Sequence, residues 1–194
     1  MVEELTSAEQ SFFKNHGLVI LKPDALELFL ENMFIQDLEN LGLMTRYRQL
    51  VKFCPQDVAF IYPEWISNEN KFKAIVDNMT CGPPMILLLE HREASGDDLH
   101  HFIDQQKGHA DQPGLRSKYI YLFKDQLKQL YPFEADFMRE LNKNRIHSPD
   151  NALQALNTIM YLWGLLDSDK IMQTFPDLYG IITTRMALEK VYAT

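Results

Sequence analysis

At 194 residues, with 46% hydrophobic and 11% aromatic side chains, the chain is long enough to bury the core of one domain. Its net charge of −8 argues against a general nucleic-acid binder, although a few local cations suffice for a nucleotide pocket. No apolar run reaches the ~20 residues that span a bilayer. The first 15 residues are acidic and polar, unlike a secretory signal or an Arg-rich transit peptide, and a cytoplasmic location is expected. Cys54 and Cys81 form no C-x-x-C and read as free thiols in a reducing compartment.

In chain order, residues 1–17 read as a polar leader with a helical turn or more around 8–14. Residues 18–21 are a continuous apolar run, which suits a buried central strand. Pro23 stops it, Asp24 is a candidate N-cap, and Leu26, Phe29, Leu30, Met33, Phe34, Leu38 and Leu41 fall mostly at helical spacing. Gly42 is the expected C′ residue. A strand over 43–53, a short helix over 55–62, a loop over 65–70 and a helix through Phe72, Ile75, Val76 and Met79 follow. Gly82-Pro83-Pro84 ends that helix, and 85–89 is a second buried strand. A helix over 95–106 leads into an exposed loop over 107–114. Residues 119–142 suggest two helices interrupted at Pro132. A strand near Ile146, a helix over 150–166, a turn at Pro176-Asp177 and a terminal helix over 183–191 complete the chain. Alternation of strands and helices favours an α/β or α+β sandwich.

The stretch Asn144-Arg145-Ile146-His147-Ser148-Pro149-Asp150 ends a β-favouring run in a histidine, and Ser148 or Asp150 can cap the helix that follows. A histidine at such a junction lies where backbone N–H groups and the helix dipole favour an anion, and a neutral imidazole there can attack a phosphoryl group. Lys22, at the end of the first buried strand, and Arg116, after Pro113-Gly114-Leu115, supply cations for phosphate. Taken singly, each of these residues also fits a plain structural role.

Together these stretches resemble the nucleoside diphosphate kinase family. Lys22-Pro23-Asp24-Ala25 is similar to its K-P-D-[AG], and Met79-Thr80-Cys81-Gly82-Pro83 to its M-x-S-G-P. Pro113-Gly114-Leu115-Arg116 is similar to a shortened P-G-T-x-R, and the histidine stretch to N-x-[IV]-H-G-S-D. The resemblance covers roughly residues 18–118 and 143–165. It implies a ferredoxin-like β-α-β-β-α-β core with an antiparallel four-stranded sheet. It also implies a homo-oligomer and ping-pong transfer of the γ-phosphoryl of an NTP to an NDP. Carried over, His147 is the nucleophile, Lys22 and Arg116 bind phosphate oxygens, Tyr62 positions Lys22, and Asn144 contacts the ribose. Mg2+ arrives on the nucleotide phosphates rather than in a protein cage, and neither nucleic acid nor membrane is a partner.

The chain departs from the family pattern at several places. The segment 99–106 lacks the family's second phosphate-binding arginine and its threonine, which leaves His100, Gln105, Gln106 and Lys107 as the nearest substitutes. Phe72 is the candidate base platform. Ser148-Pro149 replaces Gly-Ser, and Thr158 stands where the family carries a glutamate that orients the histidine. A single domain over 1–194 is expected, with a leader over 1–17, a helical insertion over 119–142 and a C-terminal extension over 167–194. Three readings follow: an active kinase, a nucleotide-binding protein that transfers phosphate poorly, and an interaction scaffold on the same fold.

Overall fold

The computed structural model describes residues 3–91, 99–108, 114–122, 129, 133 and 145–192, with backbone alone at 120–122 and 190–192. Its centre is a four-stranded sheet in the order β2-β3-β1-β4. Strand β1 (His16–Leu21) lies antiparallel to β3 (Met85–His91) on one side and to β4 (Ile146–His147) on the other. Strand β2 (Leu43–Leu50) pairs antiparallel with β3, with an irregularity between Thr45 and Tyr47. This is the β-α-β-β-α-β order expected from the sequence.

The two continuous apolar runs are explained by layers on both faces of the sheet. Leu18, Ile20, Ile86 and Leu88 point into one core cluster, and Val19, Leu21, Leu87 and Leu89 into the other. The first face is covered by α1 (Ser7–Phe13), α4 (Pro55–Ile61), α5 (Glu69–Thr80) and α8 (Ala152–Leu162), with α9 (Ser168–Thr174) and α10 (Pro176–Tyr192) beyond them. The second face is covered by α2 (Pro23–Glu27), α3 (Glu31–Asn40), α6 (Leu99–Lys107) and α7 (Leu115–Leu122).

Several local expectations are corrected. The helix anticipated from Asp24 to Leu41 is two helices, and Asp24 lies inside the first, with Lys22 as N-cap and Pro23 at its first position. Leu30 N–H reaches Ala25 O at 2.9 Å and Phe29 N–H reaches Leu26 O at 3.0 Å, with Phe29 at φ +56°. That is a Schellman closure with phenylalanine where glycine is usual. It turns Leu30 into the core and leaves Phe29 83% exposed. The strand expected over 43–53 ends at Leu50. Asn151 caps α8 through Gln154 N–H at 2.9 Å, displacing Ser148 and Asp150 from that role. Pro176 opens a long helix rather than a turn, since a proline at N1 loses no hydrogen bond.

The N-terminal segment, read from the sequence as a polar leader with a helical turn, carries α1 and contributes to the core. Thr6 and Glu9 form a capping box for α1, and Phe12 and Phe13 are buried. Arg185 of α10 donates to both carboxylate oxygens of Glu9 at 2.6 Å. Most of the anticipated insertion at 119–142 lies outside the described residues, but α7 already begins at Leu115.

Candidate active site

The sheet determines where His147 points. Ile146 pairs with Leu21 and enters the second core cluster. Side chains alternate along a strand, so His147, opposite Ile20, faces the first cluster, where Tyr62 ends α4. The two rings lie 4.7 Å apart between centroids, and Lys22 Nζ sits 5.3 Å from the Tyr62 ring centroid. Lys22 follows β1 directly, and its N–H donates to Arg145 O at 2.8 Å, which extends the β1–β4 pairing by one step.

Two further cations brace the histidine turn. Lys107, the last residue of α6, donates to Ser148 Oγ at 2.9 Å and pairs with Asp104 at 2.5 Å. The sequence suggested an exposed loop from this residue onward, but Lys107 is buried, because its ion-pair partner and a buried serine hydroxyl enclose the ammonium. Arg116, near the start of α7, donates from Nε and Nη2 to Ile146 O at 3.4 and 3.3 Å, and from Nη1 to Gly108 O at 3.3 Å. One guanidinium thus ties β4 to the end of α6.

Gly114 makes this approach possible. A Cβ there would lie 2.7 Å from Lys107 O and 3.0 Å from Gln106 O, both backbone atoms. Gly114→Ala is therefore expected to cost about 1–3 kcal/mol, as overpacking does. At roughly 2–4 °C per kcal/mol for a chain of this size, a thermal melt checks it.

The electrostatics follow from burial. His147 is 8% exposed. Its desolvation holds the imidazole well below its ordinary pKa, and the charges of Lys22, Lys107 and Arg116 act in the same direction. The ring is neutral at neutral pH and keeps a nitrogen lone pair. Burial lowers Lys22 to about 8, opposed by Asp24 and reinforced by Arg116 and Lys107. Burial also lowers Lys107, with Arg116 adding to the effect and Asp104 and Asp150 opposing it. Desolvation raises the Tyr62 phenol far above its usual value, so it remains a hydroxyl. That buried hydroxyl has no hydrogen-bond partner among the described residues. Three cations, an unreacted lone pair and an orphaned hydroxyl make a site suited to a phosphoryl group.

Of the residues singled out in the sequence, Lys22, Tyr62, Lys107, Arg116 and His147 converge. Asn144 lies outside the described residues. Thr158 is buried, but its hydroxyl donates to Gln154 O at 2.8 Å in its own helix, and no hydrogen bond joins it to His147. Phe72 is half-buried, packed in part against the first core cluster. His100 accepts from Leu18 N–H at 3.1 Å, four strand positions and about 13 Å from Lys22, and so is no substitute phosphate ligand. Sequence reasoning missed Ser148 and Asp104 as partners of Lys107. The i,i+3 spacing of Asp104 and Lys107 on a helix was the available signal. Among the described residues, no group of three or more His, Cys, Asp or Glu side chains is placed to hold a metal ion.

No family model matches the chain. A nucleoside diphosphate kinase of Campylobacter hominis is 27% identical over 149 residues, covering 75% of this chain and 93% of that protein. Among solved structures, a nucleoside diphosphate kinase of Aquifex aeolicus superposes with a TM-score of 0.52 at 20% identity, over 76% of this chain and 94% of the other. An NDP kinase of Pyrobaculum aerophilum gives 0.56 at 19% identity, over 79% and 99%. The structural likeness shows the ferredoxin-like fold, and over three quarters of its length the chain is similar in sequence to a nucleoside diphosphate kinase.

Proposed function

We propose that the protein moves the γ-phosphoryl of an NTP to an NDP through a phosphohistidine at His147. The observation that carries this reading is the neutral, buried His147 ring set among Lys22, Lys107 and Arg116. In the first half-reaction, an imidazole nitrogen bonds to the γ-phosphorus as the bond to the bridging oxygen breaks, and NDP leaves. In the second, a β-phosphate oxygen of the acceptor bonds to phosphorus as the P–N bond breaks, and the imidazole is regenerated. The three cations stabilise the charge on the equatorial and leaving oxygens, and Tyr62 donates its hydroxyl to a phosphate oxygen or holds Lys22. Asn144 contacts the ribose.

Of the carboxylates around the site, Asp24 interacts with Lys22, Asp104 pairs with Lys107, and Asp150 acts on Lys107 and Arg116. This donor set fits a Mg2+ that enters on the nucleotide phosphates with its remaining positions filled by water. The protein works as a homo-oligomer in the cytoplasm. Among the described residues no helix is long and apolar enough to cross a membrane.

A second reading, nucleotide binding with poor transfer, draws on one observation. The Thr158 hydroxyl is committed to its own helix, so no described group orients the His147 ring through a hydrogen bond. Mixing ATP with GDP and Mg2+ and assaying GTP separates the two. GTP formation supports transfer, whereas stabilisation by nucleotide in a melt without GTP formation selects binding alone.

The pH dependence has two opposite components. Lys22 is protonated less readily folded than unfolded, so the unfolded chain binds more protons between about 8 and the ordinary lysine value near 10.5. Stability therefore gains from this group as pH rises through that window. Phosphate affinity does the reverse, because Lys22 loses its charge above about pH 8. For His147, the unfolded chain binds the extra proton below the usual value of 6.5, so stability falls as pH drops from there. Titrating nucleotide affinity and melting temperature over pH 6–10 is expected to show affinity declining above about 8 while the Lys22 contribution to stability increases.

A further inference from the structure

We propose that Asp37 of α3 is a positioning residue for phosphoryl transfer: it fixes the setting of α7 from which Arg116 reaches the phosphate. This rests on the reading of Arg116 as a phosphate ligand. Two consecutive residues of α7 meet the Asp37 carboxylate. Lys118 Nζ donates to Oδ1 at 2.7 Å and to Oδ2 at 2.6 Å, and the Tyr119 hydroxyl donates to Oδ2 at 2.5 Å. The Tyr119 ring also lies 3.8 Å from that of Phe34, on the same helix as Asp37.

The other contacts of α7 do not set its orientation. Leu115 and Tyr119 enter the second core cluster, but apolar contact is non-directional and lets a helix roll or slide. The bonds between Ser117 Oγ and the Gly114 backbone, both 3.1 Å, close the first turn on itself and do not tie it to the rest of the fold. Residues two apart leave a helix axis in directions roughly 200° apart. Lys118 accordingly runs toward α3, and Arg116 toward β4 and the end of α6.

Bond lengths show which end is the anchor. The three bonds of Arg116 measure 3.3–3.4 Å, long for N–H···O, whereas those at Asp37 measure 2.5–2.7 Å and are charge-assisted. Burial raises the Tyr119 phenol above its ordinary value, and the bond to Asp37 adds to this, so the group stays a donor. Arg116 can therefore exchange its carbonyl partners for phosphate oxygens while α7 stays where Asp37 holds it.

The test is a double-mutant cycle on the full chain, Asp37→Ala, Arg116→Ala and the two combined. Calorimetry reads binding of inorganic tripolyphosphate with Mg2+, and steady-state kinetics read ATP-to-GDP transfer. Asp37→Ala is expected to lower kcat about 10–10^2-fold, as misplacing a group by about 1 Å does, and to weaken tripolyphosphate binding about fivefold. In the Arg116→Ala background the same substitution should change either quantity less than about twofold, because the group it positions is gone. A purely structural loss would carry through at full size in both backgrounds. Lys118→Met combined with Tyr119→Phe removes the same three bonds from the side of α7 and orphans no buried hydroxyl. It should match Asp37→Ala, and it takes that variant's place in the cycle if the alanine protein does not fold. A full-sized effect in the Arg116→Ala background, or wild-type values without the three bonds, overturns the proposal and leaves the phosphate site intact. Failure of wild type to bind tripolyphosphate, or binding unchanged by Arg116→Ala, overturns both readings.

Discussion

Replacing His147 by alanine is expected to lower NTP-to-NDP transfer by about 10^4-fold or more, because the covalent route then has no nucleophile. Neighbouring groups cannot take its place. Lys22, Lys107 and Arg116 are cationic and so poor nucleophiles, and the Tyr62 hydroxyl is held protonated by burial. Nucleotide binding should survive, since the cations remain. The fold should survive too, because β4 pairs with β1 through backbone bonds and Ile146, on the opposite face, anchors it in the core. A steady-state assay beside a melt with nucleotide reads both effects. Transfer at the wild-type rate in His147→Ala would remove the phosphohistidine from the mechanism.

Lys107 has two roles that substitution can separate. Its ammonium braces the turn after His147 through Ser148, and it places a charge beside the ring. Lys107→Met keeps most of the side-chain volume and removes both. It is expected to reduce kcat about 10^2–10^3-fold, the usual effect of losing one charge that stabilises the transition state. Leaving the Ser148 hydroxyl buried without this donor should cost a further ~1–3 kcal/mol of stability. Ser148→Ala removes only the brace, so its kcat should fall less than tenfold, while stability falls by about 1 kcal/mol. Equal kcat losses in the two variants would mean that Lys107 acts through the turn alone. In that case the missing second arginine of the family pattern has no substitute among the described residues.

These two roles also show where sequence reasoning succeeds and where it stops. The apolar runs at 18–21 and 85–89 were legible because a strand covered on both faces needs no polar alternation. Lys22, Arg116 and His147 were legible because each stands in a short stretch with its own turn or strand chemistry, whereas Tyr62 came from the family resemblance alone. The burial of Lys107 was not legible, since Ser148 lies 41 residues away and only the fold brings them together. The same holds for Glu9, whose partner Arg185 is 176 residues distant, so the N-terminal segment read only as a polar leader. Phe29 hid the break between α2 and α3, because a Schellman closure is normally announced by glycine and here the turn is forced by the burial of Leu30. Thr158 was read as orienting the histidine, but helix geometry offers a hydroxyl the i−4 carbonyl, and Gln154 takes it.

The most direct measurement is capture and chase of the phosphorylated enzyme. The protein is incubated with Mg2+ and γ-labelled ATP, separated from nucleotide, tested for an acid-labile label, and then given GDP. The account predicts a label that is absent from His147→Ala and that passes quantitatively to GTP on chase. A protein that binds ATP yet takes up no label, or one labelled equally in His147→Ala, would contradict it.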